Sequence, residues 1–163
     1  MFISFRSSQG LISAQFDEEF LPLLSETGWY AHNYSGNFYI RRNRGQETQL
    51  AHRLVMGLVK GDKTLVDHIN RDSLDNRREN LRFCSNQQNL WNRRMKNNST
   101  GYMGVSAHRD GRFIGKVRSN KKYFYCGLHS TAELAAKAVN HKLLELRGEF
   151  AALNTIRETE KCN

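Results

Sequence analysis

The sequence has no long apolar run and few cysteines. No stretch approaches the roughly 18 apolar residues that a membrane-spanning helix needs. The N-terminus also lacks the charged region and apolar core of a secretory signal. The three cysteines, Cys84, Cys126 and Cys162, are far apart and include no Cys-x-x-Cys pair, which argues against a zinc knuckle. Reduced thiols in an intracellular protein that does not bind membranes are the simplest expectation.

Acidic residues are scarce relative to basic ones. The chain has 25 Lys and Arg against 16 Asp and Glu, a formal net charge of +9 over 163 residues. Residues 1–28 are acidic, and the three longer segments that follow are all basic. A basic body of this kind favours a polyanionic partner, nucleic acid before membrane. Charge alone does not separate DNA from RNA, and a merely soluble basic protein would have the same composition.

The N-terminal third alternates between apolar and polar residues. Residues 2–5 and 11–14 predict a small hairpin, and the runs 29–34 and 37–42 predict two strands joined by a tight turn at Ser35 and Gly36. From Ala51 the spacing of apolar residues becomes helical. His52 lies at the start of that helix beside apolar neighbours, so we expect it to have a packed, structural role.

The centre of the chain places a carboxylate and an imidazole side by side, with two amides downstream. Asp67 and His68 follow a β-prone run, and a polar loop leads through Asn80 to a second short strand. Ser85 and the glutamine three positions later form a Ser-x-x-Gln capping box, which predicts a helix that starts there and carries Asn89. The predicted order is strand, loop, strand, helix.

These residue types suit the hydrolysis of a phosphodiester. Such a reaction needs an activated water, neutralisation of the phosphate charge and help for the leaving oxygen, and a divalent ion supplies the last two. Asp67 and the side-chain carbonyl of Asn89 are oxygen ligands for a hard ion. In a regular strand His68 points away from Asp67, so it suits the role of general base. Asn80 is placed to hold the other imidazole nitrogen or to pin the loop.

The same stretch closely resembles the HNH endonucleases of the phage homing type. The resemblance is carried by the runs Val66–Asn70 and Leu74–Arg82, by Asn89 and by Asn92. The stretch from Trp29 to Leu54 also looks like what precedes the motif in these proteins.

The resemblance to HNH enzymes implies a fold and a set of roles. In that family the motif forms a ββα-metal fold. His68 would be the base, Asp67 and Asn89 the metal ligands, and Asn80 the middle asparagine. The metal would be a divalent ion, with Mg²⁺ favoured and Mn²⁺ the alternative. The surrounding arginines fit a rim that faces phosphates; they are Arg71, Arg77, Arg78, Arg82, Arg93 and Arg94.

The C-terminal third reads as three strands and a helix. We predict strands over 102–108, 112–119 and 121–128, and a helix that begins at a second capping box, Ser130 to Glu133, and is stopped by Gly148. One sheet face would be sealed by the helix. The other face would be basic and aromatic, which is a surface that sheet proteins lay in the major groove.

This region is similar to the plant ethylene-response-factor or Apetala-type DNA-binding domain. The similarity rests on short runs near Gly101, Lys116, Tyr125, Thr131 and Leu153, and covers nearly all of residues 101–154. Several positions depart from the plant pattern, so the plant target sequence is not implied. By resemblance and strand pattern, the predicted DNA-contacting residues are Ser106, His108, Arg112, Lys116, Arg118, Tyr123 and Tyr125, with Arg93 and Arg94 from the central region.

We therefore predict an α+β protein of two modules. The first, residues 1–96, is a nuclease module with an N-terminal β-rich cap and a ββα-metal core at about 64–95, and a linker over 97–101 leads to a DNA-binding domain over 102–156. The predicted activity is metal-dependent cleavage of double-stranded DNA, by a monomer or a DNA-dependent dimer, with no small-molecule substrate. The expected setting is the cytoplasm of a bacterial host, in a phage- or mobile-element-encoded protein. The alternatives are a non-catalytic DNA-binding regulator that keeps the scaffold, and an RNA-binding or RNA-cleaving protein.

Overall fold

The computed structural model describes residues 1–93 and 98–156, and it has a mixed α/β fold of small sheets and few helices. The chain divides into two compact units, Met1–Asn89 and Leu90–Asn163. Within the described residues lie ten strands in four antiparallel sheets. In those same ranges no helix is both long and apolar enough to cross a membrane.

The first unit contains three of the sheets. They are β1 (Phe2–Ser7) with β2 (Gly10–Gln15), then β3 (Tyr30–Tyr34) with β4 (Asn37–Arg44) and β5 (Glu47–Leu50), then β6 (Leu65–His68) with β7 (Leu81–Cys84). The predicted N-terminal hairpin and the predicted strands on either side of Ser35 are confirmed. Ser35 and Gly36 both have positive φ, 52° and 91°, as the tight turn between β3 and β4 requires.

Besides two 3₁₀ turns, Glu18–Phe20 and Arg78–Asn80, three short α-helices belong wholly or partly to this unit. They are α1 (Leu21–Ser25), α2 (Ala51–Val55) and α3 (Asn86–Trp91), the last of which runs across the division between the units. The predicted start of a helix at Ala51 is confirmed. The core that these elements enclose is apolar and is formed by Phe5, Ala14, Phe16, Leu24, Ala31, Ile40, Ala51, Val55 and Leu81.

The capping box at the start of α3 is present with both of its hydrogen bonds. The backbone N–H of Gln88 donates to Ser85 Oγ at 3.2 Å, and the backbone N–H of Ser85 donates to Gln88 Oε1 at 2.8 Å. Each side chain therefore satisfies a backbone donor that the first turn of a helix leaves without an intrahelical partner. The sequence prediction for this helix start is confirmed.

The second unit packs a sheet on one long helix. The sheet joins β8 (Val105–Ala107), β9 (Phe113–Ser119) and β10 (Lys122–His129) in the order β10-β9-β8, and α4 (Ala132–Arg147) covers one face. The buried residues shared by sheet and helix are Tyr102, Val105, Val117, Ala135, Ala136, Val139 and Leu143. The first strand is shorter than the predicted run 102–108, because residues 99–104 form turns instead.

Close approach of α4 to the sheet depends on small residues. A Cβ on Gly115 would lie 3.1 Å from the side chains of Cys126 and Val139 and 3.3 Å from the carbonyl oxygen of Ala135. The glycine in the middle of β9 therefore gives the helix room to pack against the strand.

The second predicted capping box is wrong in its position. The residue that caps α4 is Thr131, whose Oγ accepts the backbone N–H of Leu134 at 3.2 Å, and not Ser130. Serine and threonine are both good caps, and two of them in succession leave the sequence ambiguous by one residue.

Of the predicted linker over 97–101, the structure describes residues 98–101; residue 97 lies outside the described ranges. The side chains of Asn98 and Thr100 both donate to the carbonyl oxygen of Val105, at 2.6 and 3.1 Å. Residues 98–101 are therefore fastened to the start of the second sheet. The proposed domain limits remain a prediction.

Candidate functional site

Asp67 and His68 end strand β6 and are both buried, at 6% and 7% exposure. They pair with Arg82 and Leu81 on β7, so they are neighbours on opposite faces of a two-stranded sheet. The alternation of strand side chains thus gives the carboxylate and the imidazole different surroundings, as the sequence predicts.

The imidazole of His68 is held by an amide that sequence reasoning did not single out. His68 Nε2 lies 3.2 Å from Asn76 Oδ1, and the Asn76 amide nitrogen donates to the carbonyl oxygen of Leu74 at 3.2 Å. The bond to Leu74 fixes which end of the amide faces His68. Because Oδ1 only accepts, the neutral tautomer that satisfies this contact has its hydrogen on Nε2 and its lone pair on Nδ1. Nδ1 is therefore the nitrogen that would take up a proton.

The surroundings of His68 favour its neutral form. Burial lowers the pKa of His68 below its usual value, while the bond to Asn76 and nearby carboxylates, Asp67 first, act in the opposite direction. The net direction is downward. An imidazole that is neutral at physiological pH has a lone pair to accept a proton, which a general base needs.

Asp67 is tied to an arginine on the neighbouring strand. Arg82 donates to Asp67 Oδ2 through Nε at 3.0 Å and through Nη2 at 2.8 Å, and both side chains are largely buried. A buried carboxylate needs a cation or several hydrogen-bond donors to stay ionised. Arg82 therefore provides a cationic partner for the Asp67 oxygens at the end of β6.

Asn80 pins the loop between β6 and β7. Its Oδ1 accepts the backbone N–H of Asn70 at 3.0 Å, and its Nδ2 donates to Asn70 Oδ1 at 3.0 Å and to the carbonyl oxygen of Asp75 at 2.7 Å. Of the two roles considered for Asn80, these bonds show the loop-pinning one. The contact with the imidazole is made by Asn76.

Asp75 reinforces the same loop. Its carboxylate accepts from Arg77 at 2.9 and 2.8 Å and from the Asn70 side chain at 2.9 Å, and the hydrogen bond from Arg77 lowers the pKa of Asp75. The loop that carries Asn76 is therefore held by side-chain bonds at several points.

The second predicted metal ligand, Asn89, lies exposed on α3. Its backbone N–H donates to the carbonyl oxygen of Ser85 at 3.0 Å, so the capped first turn fixes its place on the helix. A carboxylate from Asp67 and an amide carbonyl from Asn89 are hard oxygen donors, which fit a divalent ion such as Mg²⁺. Over residues 1–93 and 98–156, no group of three or more His, Cys, Asp or Glu side chains gathers in the manner of a metal site.

Two aromatic rings pack against the candidate base. The ring centroid of His52 lies 5.2 Å from that of His68, and that of Tyr39 lies 6.4 Å from it, both in edge-to-face geometry. The Tyr39 and His52 rings are themselves 5.9 Å apart. His52 is therefore buried and packed, as expected, and the ring that it packs against is that of His68.

Most of the described arginines near the motif have partners within the protein. Arg82 holds Asp67, Arg77 pairs with Asp75 and Glu79, and Arg78 donates to the Val55 carbonyl oxygen at 2.9 Å. These contacts lie within the first unit, while the Arg78 side chain is still 59% exposed, so the phosphate-facing rim stays a prediction. Arg71 and Arg93 are exposed. Arg94, also predicted to contact DNA, lies outside the described residues.

The uncovered face of the C-terminal sheet is basic and aromatic. Tyr123 and Tyr125 are 72% and 63% exposed, and they pair across the strands with Arg118 and Lys116. The Arg118 guanidinium lies 5.5 Å from the centre of the Tyr123 ring. Ser106 on β8 is also exposed. Four of the predicted DNA-contacting side chains thus lie in two adjacent cross-strand pairs.

The other two predicted contacts of this unit lie in the turn between β8 and β9. Arg112 precedes β9 and donates to Asp110 at 2.8 and 2.6 Å, and His108 Nδ1 lies 2.7 Å from the same carboxylate. Both side chains are therefore engaged by one acidic residue. The predicted strand over 112–119 begins one residue too early, because β9 begins at Phe113, and a DNA contact by Arg112 stays a prediction.

The residues that contact Asp67 and His68 could not be identified from the sequence. Asn76 lies in a polar loop without periodicity, so no pattern separates it from its neighbours. Arg82 is visible as a basic residue, but its partner becomes evident only from the β6–β7 register. Tyr39 lies 29 positions before His68 and meets it only through the fold.

Comparison with known proteins gives two matches. A family model described as HNH endonuclease matches residues 49–90. The chain is also 32% identical over 139 residues to an uncharacterized HNH endonuclease of Acanthamoeba polyphaga mimivirus, an alignment that covers 83% of this chain and 71% of that protein.

Proposed function

The chain belongs to the HNH endonuclease family and is a nuclease, and from this premise we propose that it hydrolyses phosphodiester bonds of duplex DNA with a divalent metal ion, as a homing-type enzyme. HNH nucleases generally use divalent metals. The proposal specifies the polymer, the cofactor and the residues that act.

One observation carries this proposal: a buried, neutral imidazole adjoins a buried carboxylate at the end of one strand. His68 has its Nε2 held by Asn76, and Asp67 has its charge held by Arg82. The first is prepared to take a proton and the second to hold a cation. Adjacent strand residues on opposite faces separate these two tasks.

We assign the roles as follows. His68 Nδ1 removes a proton from the attacking water, and Asn76 keeps the ring in the tautomer that allows it. Asp67 and Asn89 would hold the metal, which when bound would offset charge on the phosphate and on the leaving oxygen. Asn80 keeps the loop closed around these groups.

Plasmid cleavage tests this function. Supercoiled plasmid incubated with the protein and Mg²⁺ should be converted to a nicked or linear form, and EDTA should stop the reaction. A His68→Ala variant should cut at least about a hundredfold more slowly, since a general base contributes roughly 10²–10⁴ in rate. Gel electrophoresis of the plasmid measures both effects, and the ratio of nicked to linear product tells single incisions from paired ones.

His141→Ala is the matched control, because His141 is an exposed histidine on α4. This variant should cut as fast as the wild type. Failure of the wild type to cut with any of several divalent ions would overturn the metal-dependent DNA cleavage. Unimpaired cutting by His68→Ala would leave the family membership intact and refute the assigned base.

We further propose that the exposed face of β9 and β10 docks on duplex DNA. Lys116 and Arg118 supply cations for phosphates, and the tyrosines paired with them supply flat surfaces for sugars and bases. The resemblance of this region to the Apetala-type domain supports the proposal and stays a resemblance. Because one HNH centre makes one incision, a double-strand break would need a dimer on DNA or two successive events.

A further inference from the structure

We propose that His52 is a positioning residue, whose ring holds the imidazole of His68 in the orientation that meets Asn76. This inference rests on the proposed function for its catalytic consequence, although the packing itself does not. His52 itself lies outside the run from Val66 to Asn92 that holds the candidate base and metal ligands, although it falls within residues 49–90 that the family model matches.

The geometry of three rings is the first support. His52 lies edge-on to His68 at 5.2 Å between centroids, with 61° between the ring planes, and Tyr39 packs against both rings. The hydrogen bond to Asn76 fixes one ring nitrogen and does not by itself fix the plane of the His68 ring. Contacts from two further rings restrict that plane.

The place of His52 in the fold is the second support. His52 lies in the first turn of α2, between the fully buried Ala51 and the core residue Val55, and is itself only 8% exposed. Tyr39 comes from the middle of β4. The rings are therefore carried by elements of the core, and a rigid support of this kind is what precise placement of a reactive group needs.

The electrostatic character of His52 suits a neighbour that becomes charged. Burial, followed by the proximity of His68, lowers the pKa of His52 to about 3. His52 is therefore neutral when His68 takes up a proton, and it does not repel the imidazolium that forms. A neutral His52 ring therefore contributes packing contacts to His68, as an aromatic side chain would.

The experiment compares His52→Ala with His52→Phe in the full chain. The alanine variant removes the ring, whereas phenylalanine keeps a flat ring of similar size without the nitrogens. We expect kcat for plasmid nicking to fall by about ten- to a hundredfold in His52→Ala, because small misplacements of a reacting group cost rates of this order. The Phe variant should stay within about threefold of the wild type by the same reasoning. KM and DNA affinity should be unchanged in both.

Val55→Ala is the matched control for reduced stability. Val55 lies on the same helix and is fully buried in the core, so its truncation destabilises the unit without removing a ring from His68. This variant should melt at a lower temperature but keep a wild-type kcat below its melting point. Equal losses of kcat in Val55→Ala and His52→Ala would overturn the proposal.

A second readout needs neither metal nor DNA. Long-range proton–nitrogen NMR spectra distinguish the imidazole tautomers, and the His68 signals are identified by their loss in His68→Gln. We expect one tautomer with hydrogen on Nε2 in the wild type and in His52→Phe, and averaged nitrogen shifts in His52→Ala. An unchanged single tautomer in His52→Ala would refute the positioning role. If the wild type cuts no DNA, the proposed function fails, and the spectra still decide this inference.

Discussion

At the scale of single residues, the site is built from groups whose charges are set by their immediate neighbours. The Asp67 carboxylate pairs with Arg82, and burial lowers the pKa of His68 beside Asn76 and His52. The strand alternation predicts that Asp67 and His68 differ in role. Their partners depend on register and loop shape, which no local pattern encodes.

Removal of Arg82 should destabilise the first unit strongly. The Arg82→Ala change leaves the buried Asp67 carboxylate without its guanidinium, and breaking a buried ion pair costs about 3–5 kcal/mol. The double variant Asp67→Asn with Arg82→Ala should lose much less than the sum of the two single changes, Asp67→Asn and Arg82→Ala, because no buried charge remains. Urea unfolding of the four proteins measures the coupling. Additive losses would show that the pair does not act as a unit.

The buried histidine should also make stability depend on pH. An unfolded histidine binds a proton below about pH 6.5, whereas His52 in the folded protein, with its pKa lowered to about 3, stays neutral until the pH falls that far. Between these values the unfolded chain binds more protons, so the free energy of unfolding falls as the pH is lowered. At pH 5 the loss from His52 is about 2 kcal/mol, at 1.36 kcal/mol per pH unit.

Denaturant unfolding at pH 7 and pH 5 checks this linkage. The His52→Phe variant lacks the titrating group, so its stability should decrease less than that of the wild type over the same interval. A wild type and variant that lose stability in parallel would contradict the lowered pKa.

At the scale of elements, strands and helix starts follow from the sequence better than their exact ends do. The hairpin β1–β2, the turn at Ser35 and the capping box at Ser85 carry local chemistry that specifies them. The start of α4 is ambiguous in the sequence because Ser130 and Thr131 are both good caps, and the residue that caps the helix is Thr131.

This difference between two serines gives a matched pair of variants. Ser85→Ala removes the cap of α3 and should cost about 1 kcal/mol of stability. Because α3 carries Asn89, a frayed first turn should also raise the Mg²⁺ concentration needed for half-maximal nicking. Ser130→Ala removes an exposed serine that does not cap α4, and it should change neither quantity. Metal titrations of cleavage, with thermal unfolding alongside, separate the two effects; equal behaviour of both variants would contradict the role of the cap.

At the scale of the whole molecule, the described basic side chains differ in whether an acidic residue of the protein pairs with them. The arginines closest to the motif pair within the first unit, while the basic pairs of the C-terminal sheet remain exposed. Composition predicts a polyanionic partner but not which arginines meet it, because an arginine with an internal acidic partner and one facing solvent are identical in sequence.

The C-terminal face should therefore carry the salt dependence of DNA binding. Replacing Lys116 and Arg118 by alanine should weaken binding and reduce the slope of log affinity against log salt by about one for each phosphate that the protein no longer neutralises. Replacement of Lys137, an exposed cation on α4, should leave both nearly unchanged. Fluorescence anisotropy with duplex DNA at several salt concentrations makes the comparison. A slope that responds equally to all three positions would refute a specific docking face.

The first hairpin is hydrogen-bonded to the loop between β6 and β7, which lies far from it along the chain. The backbone N–H of Gln15 donates to the carbonyl oxygen of Leu74 at 2.7 Å, and the N–H of Asn76 donates to the Gln15 carbonyl oxygen at 2.8 Å. The stretch recognisable as the family motif, residues 49–90, excludes Gln15. Transplanting that stretch alone into another scaffold would carry over the chemical groups without their brace. Because the brace joins segments about sixty residues apart, it forms on the ribosome only once both the hairpin and the loop have been synthesised and have met.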